Sequence, residues 1–128
     1  MIEVKNIQKS FDGKIIIKDV SAVMKAGQCN LIIGASGSGK TVLMNCMVGL
    51  FEPDLGEVLY GGQNFTAMKG YDKTEIRKEI GMLFQGSALF YCFFVEANIM
   101  FPLNMFTDWT HKKKLDRVNE VLSRVNLT

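Results

Sequence analysis

Apolar and polar positions alternate at the start of the chain, with Ile2 and Val4 set against Glu3 and Lys5, the two-residue period of a half-buried strand. Phe11-Asp12-Gly13-Lys14 places an Asp-Gly turn between this strand region and the run Ile15-Ile16-Ile17, which predicts a hairpin-like β layer. Residues 20–24 alternate again, Lys25-Ala26-Gly27 reads as a turn, and 30–33 reads as a fourth short strand. The period then changes. Over 40–50, Val42, Leu43, Met44, Met47, Val48 and Leu50 cover most of a helical circumference, which predicts a buried helix with Gly49 placed for its C-terminal turn.

Farther on, Glu52-Pro53-Asp54-Leu55-Gly56 is a turn cluster, and Glu57-Val58-Leu59-Tyr60-Gly61-Gly62 reads as a strand running into a tight turn. Asp72-Lys73-Thr74-Glu75 fits the capping box of a short helix ending near Glu79, and 80–84 then reads as a strand with Gln85 leaving directly from its end. Leu115, Val118, Leu122 and Val125 recur at helical spacing, with Thr110 in place to cap an amphipathic helix. The run His111-Lys112-Lys113-Lys114 opens that helix where cations are unfavourable, so it is read as a solvated face. The most apolar stretch, 82–106, is broken by Gln85, Glu96, Asn98 and Asn104, and its longest uninterrupted piece, 88–95, falls short of the roughly 18–20 residues a membrane span needs.

The chemistry concentrates between the fourth predicted strand and the first predicted helix. Gly34-Ala35-Ser36-Gly37-Ser38-Gly39-Lys40-Thr41 fills the pattern G-x-x-x-x-G-K-[ST], and the apolar run Leu31-Ile32-Ile33 precedes it. Glycines at 34, 37 and 39 allow positive φ and bring backbone N–H groups close to phosphate oxygens. The helix that follows adds unpaired N–H groups and a partial positive charge. Lys40 supplies a full charge for β- and γ-phosphates, and the Thr41 hydroxyl is placed to ligand Mg²⁺. The plain alternative is a Gly/Ser-rich turn matching by chance; the flanking strand and helix are the context that a phosphate-binding loop requires.

Composition changes this picture little. At 128 residues and 48% hydrophobic, the chain is expected to form one domain with a real core. A net charge of +2 creates no strong field toward nucleic acid or anionic lipid. Cys29, Cys46 and Cys92 are odd in number and lack C-x-x-C spacing, which disfavours a disulfide framework or a zinc site and suggests buried free thiols in a reducing cytoplasm. The first residues lack the basic-then-apolar order of a signal peptide.

Phe11, the loop at 34–41, the Glu57-Val58-Leu59-Tyr60-Gly61-Gly62 turn, and Gln85 five residues after Ile80 occur in the order found in the ATP-binding subunits of ABC transporters. The resemblance covers essentially the whole chain. It implies an α/β fold: a P-loop NTPase core of ABC type with an N-terminal antiparallel β layer, cut off as a helical subdomain begins. The expected organisation is a single incomplete domain, with the β layer and P-loop core over 1–85 and the start of a helical, permease-facing part over 86–128. The implied cofactors are ATP and Mg²⁺. Phe11 would stack on adenine; Gly34, Ala35, Ser36, Gly37, Ser38, Gly39, Lys40 and Thr41 would hold the phosphates; Thr41 and Gln85 would ligand Mg²⁺. Gln85, which in the family reaches the attacking water, and Lys40 would form the catalytic set. Pattern alone reads Phe11 equally as a core residue of a hairpin, and Gln85 as a polar residue ending a strand. The implied partners are a transmembrane permease subunit and a second ATP-binding subunit in a homodimer, with no nucleic acid, at the cytoplasmic face of the inner membrane.

A narrower likeness lies in Gly81-Met82-Leu83-Phe84-Gln85-Gly86-Ser87-Ala88-Leu89-Phe90, followed by Phe101-Pro102-Leu103, which resembles the Mla-type ATPases that serve phospholipid transport with an MCE-domain lipid-binding partner. Residues 86–106 would then form part of the surface that receives the permease; the alternative is a buried core. Two departures from the family stand out. In Tyr91-Cys92-Phe93-Phe94-Val95-Glu96-Ala97-Asn98-Ile99, Phe94 replaces a potential cap and Ala97 an acid, so this stretch is expected to be buried differently or to be defective. The family's signature motif, Walker B aspartate with its adjacent glutamate, and switch histidine do not occur up to Thr128, and His111 lies too early to serve. The resemblance therefore implies an N-terminal half that binds nucleotide with little or no turnover. The first reading is an ATP-binding subunit coupling ATP to lipid transport, and the alternative is a truncated or degenerate nucleotide-binding module without ATPase activity. A stand-alone P-loop kinase or GTPase would require an acceptor site or a guanine-reading motif, and neither is seen.

Overall fold

Strands β1 (Ile2–Phe11) and β2 (Lys14–Met24) form an antiparallel hairpin that runs from Ile2 opposite Met24 to Phe11 opposite Lys14. The short strands expected at 2–5, 15–17 and 20–24 are thus two long ones, because bulges absorb the polar breaks between them. Asn6 at φ 50° and Asp19 at φ 52° adopt left-handed conformations, and Asn6 Nδ2 donates to Asp19 Oδ1 at 2.7 Å. The Asn6 N–H donates to Ser21 Oγ at 2.8 Å. The bulge also sets the core. Val4 and Ile7 are an odd number of residues apart and would face opposite sides of an uninterrupted strand, yet both are buried because the register shifts between them.

β3 (Leu55–Tyr60) pairs with the other edge of β1, setting Val58 opposite Val4, and β4 (Gln63–Asn64) returns across the Gly61-Gly62 turn. The sheet order is β2-β1-β3-β4. Helix α1 (Lys40–Met47) lays Leu43, Cys46 and Met47 against Val4, Ile7, Ile17, Val58 and Phe65, and these side chains are the core of this part of the chain. The helix stops short of the expected 40–50 because Gly49, at φ 76°, turns the backbone, and the amides of Leu50 and Phe51 both return to the Asn45 carbonyl. Helix α2 (Gly70–Lys78) begins two residues before the expected capping box. Its N-cap is Lys69 without a side-chain bond, and the Thr74 hydroxyl instead donates to the Gly70 carbonyl at 3.1 Å, inside the helix. Arg77 ties α2 to the α1 turn by donating to the Gly49 carbonyl.

Two predicted strands do not join the sheet. Residues 30–33 and 80–84 carry no ladder, and Leu31, Ile33 and Leu83 are 79%, 85% and 96% exposed. An apolar run becomes a strand only where neighbouring backbone completes its hydrogen bonds, and neither run has a ladder partner.

This computed structural model describes residues 1–127, which fall into two units: Met1–Ile80, containing all of the above elements, and a second from Gly81 onward. In the second unit, α3 (Val95–Phe106) packs against α4 (His111–Arg124), burying Met100 and Val118. α4 begins as expected, with Thr110 Oγ1 accepting the Lys113 N–H at 3.4 Å. α3 has no counterpart among the predicted elements, since it is apolar without a clear period and contains Pro102. Of the cysteines, Cys46 is buried but Cys29 and Cys92 are exposed, which corrects the expectation of buried thiols. No helix among the described residues is long and apolar enough to cross a membrane.

The tightest backbone approach is at Gly56, φ 88°, where a Cβ would stand 2.4 Å from the carbonyl oxygens of Lys5 and Asn6. Gly61, φ 55°, has nothing within 4 Å. Gly61→Ala is expected to cost about 1 kcal/mol from conformation alone, and Gly56→Ala upward of ~2 kcal/mol because backbone cannot yield. Urea unfolding of the two variants checks this, and equal losses would contradict it.

Candidate functional site

The loop at 34–41 lies on the hairpin and opens α1 through a left-handed glycine. Gly37 (φ 74°) and Gly39 (φ 94°) use the conformational freedom expected of them. Gly34 does not; it is required by space, since a Cβ there would lie 2.7 Å from Ser38 Oγ. The Ser38 N–H donates to the Ala35 carbonyl at 3.2 Å, closing the turn. Gly39 is the N-cap of α1, and a Cβ on it would meet Ile17 Cγ2 at 2.6 Å, so the loop rests directly on β2. It offers no side-chain cap, and the first turn of α1 holds no acidic residue. The leading N–H groups of the helix therefore present an anion-seeking end.

Lys40 bends back over this loop. Its Nζ donates to the carbonyls of Gly34 and Ala35, both at 2.6 Å, and stands 3.5 Å from Ser38 Oγ. Ile16, Gly37, Ser38, Gly39, Lys40, Thr41 and Val42 line a hollow of about 190 Å³ beside it. Ser36 and Thr41 are exposed. The hollow thus gathers an ammonium, two hydroxyls and backbone amides, a donor set that suits phosphate oxygens and, through Thr41, a hard cation.

Phe11 stands at the hairpin tip of the same unit, outside the buried cluster and 38% exposed. The Phe51 ring meets it edge to face, centroids 5.2 Å apart at 71°, and Lys9 Nζ lies 5.2 Å from its centroid. Asp54 holds the two residues before it. Its Oδ2 accepts from the Ser10 hydroxyl and the Ser10 N–H, each at 2.6 Å, and its Oδ1 accepts from Lys9 Nζ at 3.0 Å. The Ser10 hydroxyl first, then Lys9 and the Ser10 amide, draw the Asp54 carboxyl down to about 2 from an ordinary 3.8. The sequence marks Asp54 only as part of a turn and gives Lys9, Ser10 and Phe51 no role, because their meeting depends on the chain after α1 returning to the hairpin.

Gln85 belongs to the second unit, where it is exposed in a bend. The aromatic segment following it is ordered from within α3. Phe94 is the N-cap and provides no side-chain bond, as its replacement of a capping residue implies. Asn98 compensates: its Nδ2 donates to the carbonyls of Phe90, Phe93 and Phe94 at 3.1 Å each, while its Oδ1 accepts the Phe90 N–H at 2.8 Å. Tyr91 and Phe94 are each 89% exposed, and an apolar hollow of about 560 Å³ opens between residues 89–99 and the end of α4.

An antiparallel β layer carrying a glycine loop that feeds a helix, with a lysine laid over that loop, defines a P-loop NTPase fold of the ABC cassette type. The family model described as ABC transporter matches residues 17–128, and the chain belongs to that family. It is 39% identical to the methionine import ATP-binding protein MetN of Clostridium acetobutylicum, covering 100% of this chain and 40% of that protein. It is 34% identical to the spermidine/putrescine import ATP-binding protein PotA of Chromobacterium violaceum, covering 100% of this chain and 34% of that one. With the intermembrane phospholipid transport system ATP-binding protein MlaF of Haemophilus influenzae it shares 36% identity, covering 84% of this chain and 40% of the relative. The chain therefore spans about two fifths or less of the length of these relatives. An ATP-binding cassette solved as a dimer in a post-hydrolysis state, bound to ADP and Pi, superposes with a TM-score of 0.87 at 27% identity, over 100% of this chain and 58% of that one. Relatives named for methionine, polyamines and phospholipid lie at similar identity, so the family is shown and the Mla type is not singled out.

Because Asp54 is held well below its ordinary value in the folded chain, its contribution to stability is present above pH ~4 and is lost as pH falls through about 2. Asp54→Asn is expected to flatten the loss of stability between pH 4 and pH 2, read by urea midpoints across that window. An unchanged slope would show that the carboxylate bonds do not persist in solution.

Proposed function

We propose that the chain is the nucleotide-binding part of an ABC transporter ATP-binding subunit that takes up ATP with Mg²⁺. The observation that carries this is Lys40 Nζ laid on the Gly34 and Ala35 carbonyls, over a loop that opens the uncapped end of α1. In this reading Gly34, Ala35, Ser36, Gly37, Ser38, Gly39, Lys40 and Thr41 hold the phosphates, with Lys40 exchanging its carbonyl partners for phosphate oxygens. Phe11 stacks on adenine. Thr41 and Gln85 serve Mg²⁺, and Gln85 together with Lys40 serves the reaction. Bound Mg²⁺ would supply charge neutralisation across the β- and γ-phosphates. The working division is a β layer with P-loop core through Gln85 and a permease-facing part after it.

The same reading gives the chain a transmembrane permease partner and a second ATP-binding subunit, at the cytoplasmic face of the inner membrane. The neighbouring cassette solved as a dimer supports the second partner, and the exposed Tyr91 and Phe94 support the first. Phospholipid, with an MCE-domain protein alongside, is the transported class that the 81–90 and 101–103 segments favour, and MlaF is among the relatives. A second reading, nucleotide held without hydrolysis, draws on the lining of the phosphate hollow, where the described residues include no carboxylate to position water or metal.

Isothermal calorimetry separates the parts of the site. Lys40→Ala is expected to abolish binding of both ATP and inorganic triphosphate, and micromolar binding retained by this variant would sink the phosphate-loop assignment. Phe11→Ala should weaken ATP by about 1 kcal/mol, roughly fivefold, and leave triphosphate unchanged; equal losses would make Phe11 structural. For the transported class, hydrolysis by the subunit assembled with its permease is expected to rise with phospholipid and not with methionine or spermidine. Stimulation by either of those instead would overturn the lipid reading, and unchanged ATP affinity without hydrolysis would select the second.

A further inference from the structure

The segment that leaves α1 does more than connect it to β3. After the Gly49 turn, the Asp54 N–H donates to the Gln8 carbonyl at 2.8 Å, and the Asp54 carboxylate takes donors from both Lys9 and Ser10. Phe51, three residues earlier, places its ring edge on Phe11. The hairpin tip from Gln8 to Phe11 is therefore gripped at its backbone, its side chains and its aromatic ring by one short stretch of chain. At the other end of α1, Gly39 rests on Ile17 of the same hairpin. An eight-residue helix, about 12 Å long, thus spans the phosphate loop and the segment that holds Phe11.

We infer that Asp54 and Phe51 are positioning residues for base recognition: they fix the ring of Phe11 at a set place relative to the phosphate loop, so that the base and phosphates of one nucleotide are met together. This rests on the proposed contact between Phe11 and the base. An isolated ion pair at this exposure would contribute little. One carboxylate accepting from a backbone N–H, a hydroxyl and an ammonium on adjacent residues instead restricts the chain directly before Phe11. The same attraction sets Lys9 near the Phe11 ring, and the Phe51 edge fixes the ring's tilt. The ring keeps enough exposure to accept a flat partner.

The test is calorimetry on the intact chain with ATP and with inorganic triphosphate, using Asp54→Asn, Ser10→Ala and Phe51→Leu alone and in a Phe11→Ala background. Each single variant is expected to weaken ATP about threefold, to leave triphosphate unchanged, and to have no further effect once Phe11 is gone. Phe51→Tyr, which keeps the ring edge, should restore ATP binding. Equal losses for ATP and triphosphate, no loss at all, or an undiminished loss in the Phe11→Ala background would each overturn the inference. Ser10→Ala removes a single donor and decides the matter if Asp54→Asn does not fold. Failure of the underlying base contact is distinguishable, because Phe11→Ala by itself would then leave ATP unchanged.

Discussion

One contact made without a side chain organises the first unit: Gly39 against Ile17. With φ 94° and no room for a Cβ, Gly39 lets the loop lie on β2, and as the N-cap it leaves the first turn of α1 without a side-chain cap. The core depends on the same placement, since Ile17 packs with Leu43, Cys46 and Met47 of α1 and with Val4 and Ile7 across the hairpin. Sheet, loop and helix therefore meet at a point where any other residue would force them apart. The exposed amides and the buried side chains are two sides of one arrangement, in which hydrophobic burial on the inner face of α1 holds its polar end open.

The proposed base end of the site is built differently. Phe11 is not fixed by burial, and its position comes from polar bonds of Asp54 and an edge-to-face partner in Phe51. A ring held from behind can keep a face free, whereas a ring fixed by burial cannot. In the second unit Asn98 plays a comparable part, accepting from or donating to the backbone of Phe90, Phe93 and Phe94 in a turn that leaves Tyr91 and Phe94 exposed. In both places a short polar side chain orders aromatics that the core does not claim.

Much of this was legible in the chain itself, for physical reasons that differ from element to element. The phosphate loop could be read because its glycines and lysine are fixed by local chemistry, and the Thr110 cap because capping acts over three residues. The hairpin is legible only in broken pieces, since Asn6 and Asp19 look like interruptions until they are seen bonded across a pair of bulges. The runs at 30–33 and 80–84 show the limit of hydrophobic pattern: it reports a tendency to be strand, but a strand exists only beside another. α3 is not legible in the sequence because an apolar stretch without a period looks the same as helix, strand or surface, and the Asp54 grip is not because it joins residues more than forty positions apart.

Membership in the ABC transporter family agrees with the architecture, and the relatives are named for different cargo. The central claim is that residues 34–41 receive a nucleotide polyphosphate. Its most direct test is the backbone amide NMR spectrum of the chain titrated with Mg–ATP. The largest shifts are expected at Gly37, Ser38, Gly39, Lys40 and Thr41, accompanied by ring-current shifts at Phe11. Amides of the loop that stay in place while ATP binds elsewhere, or while it does not bind at all, would contradict it.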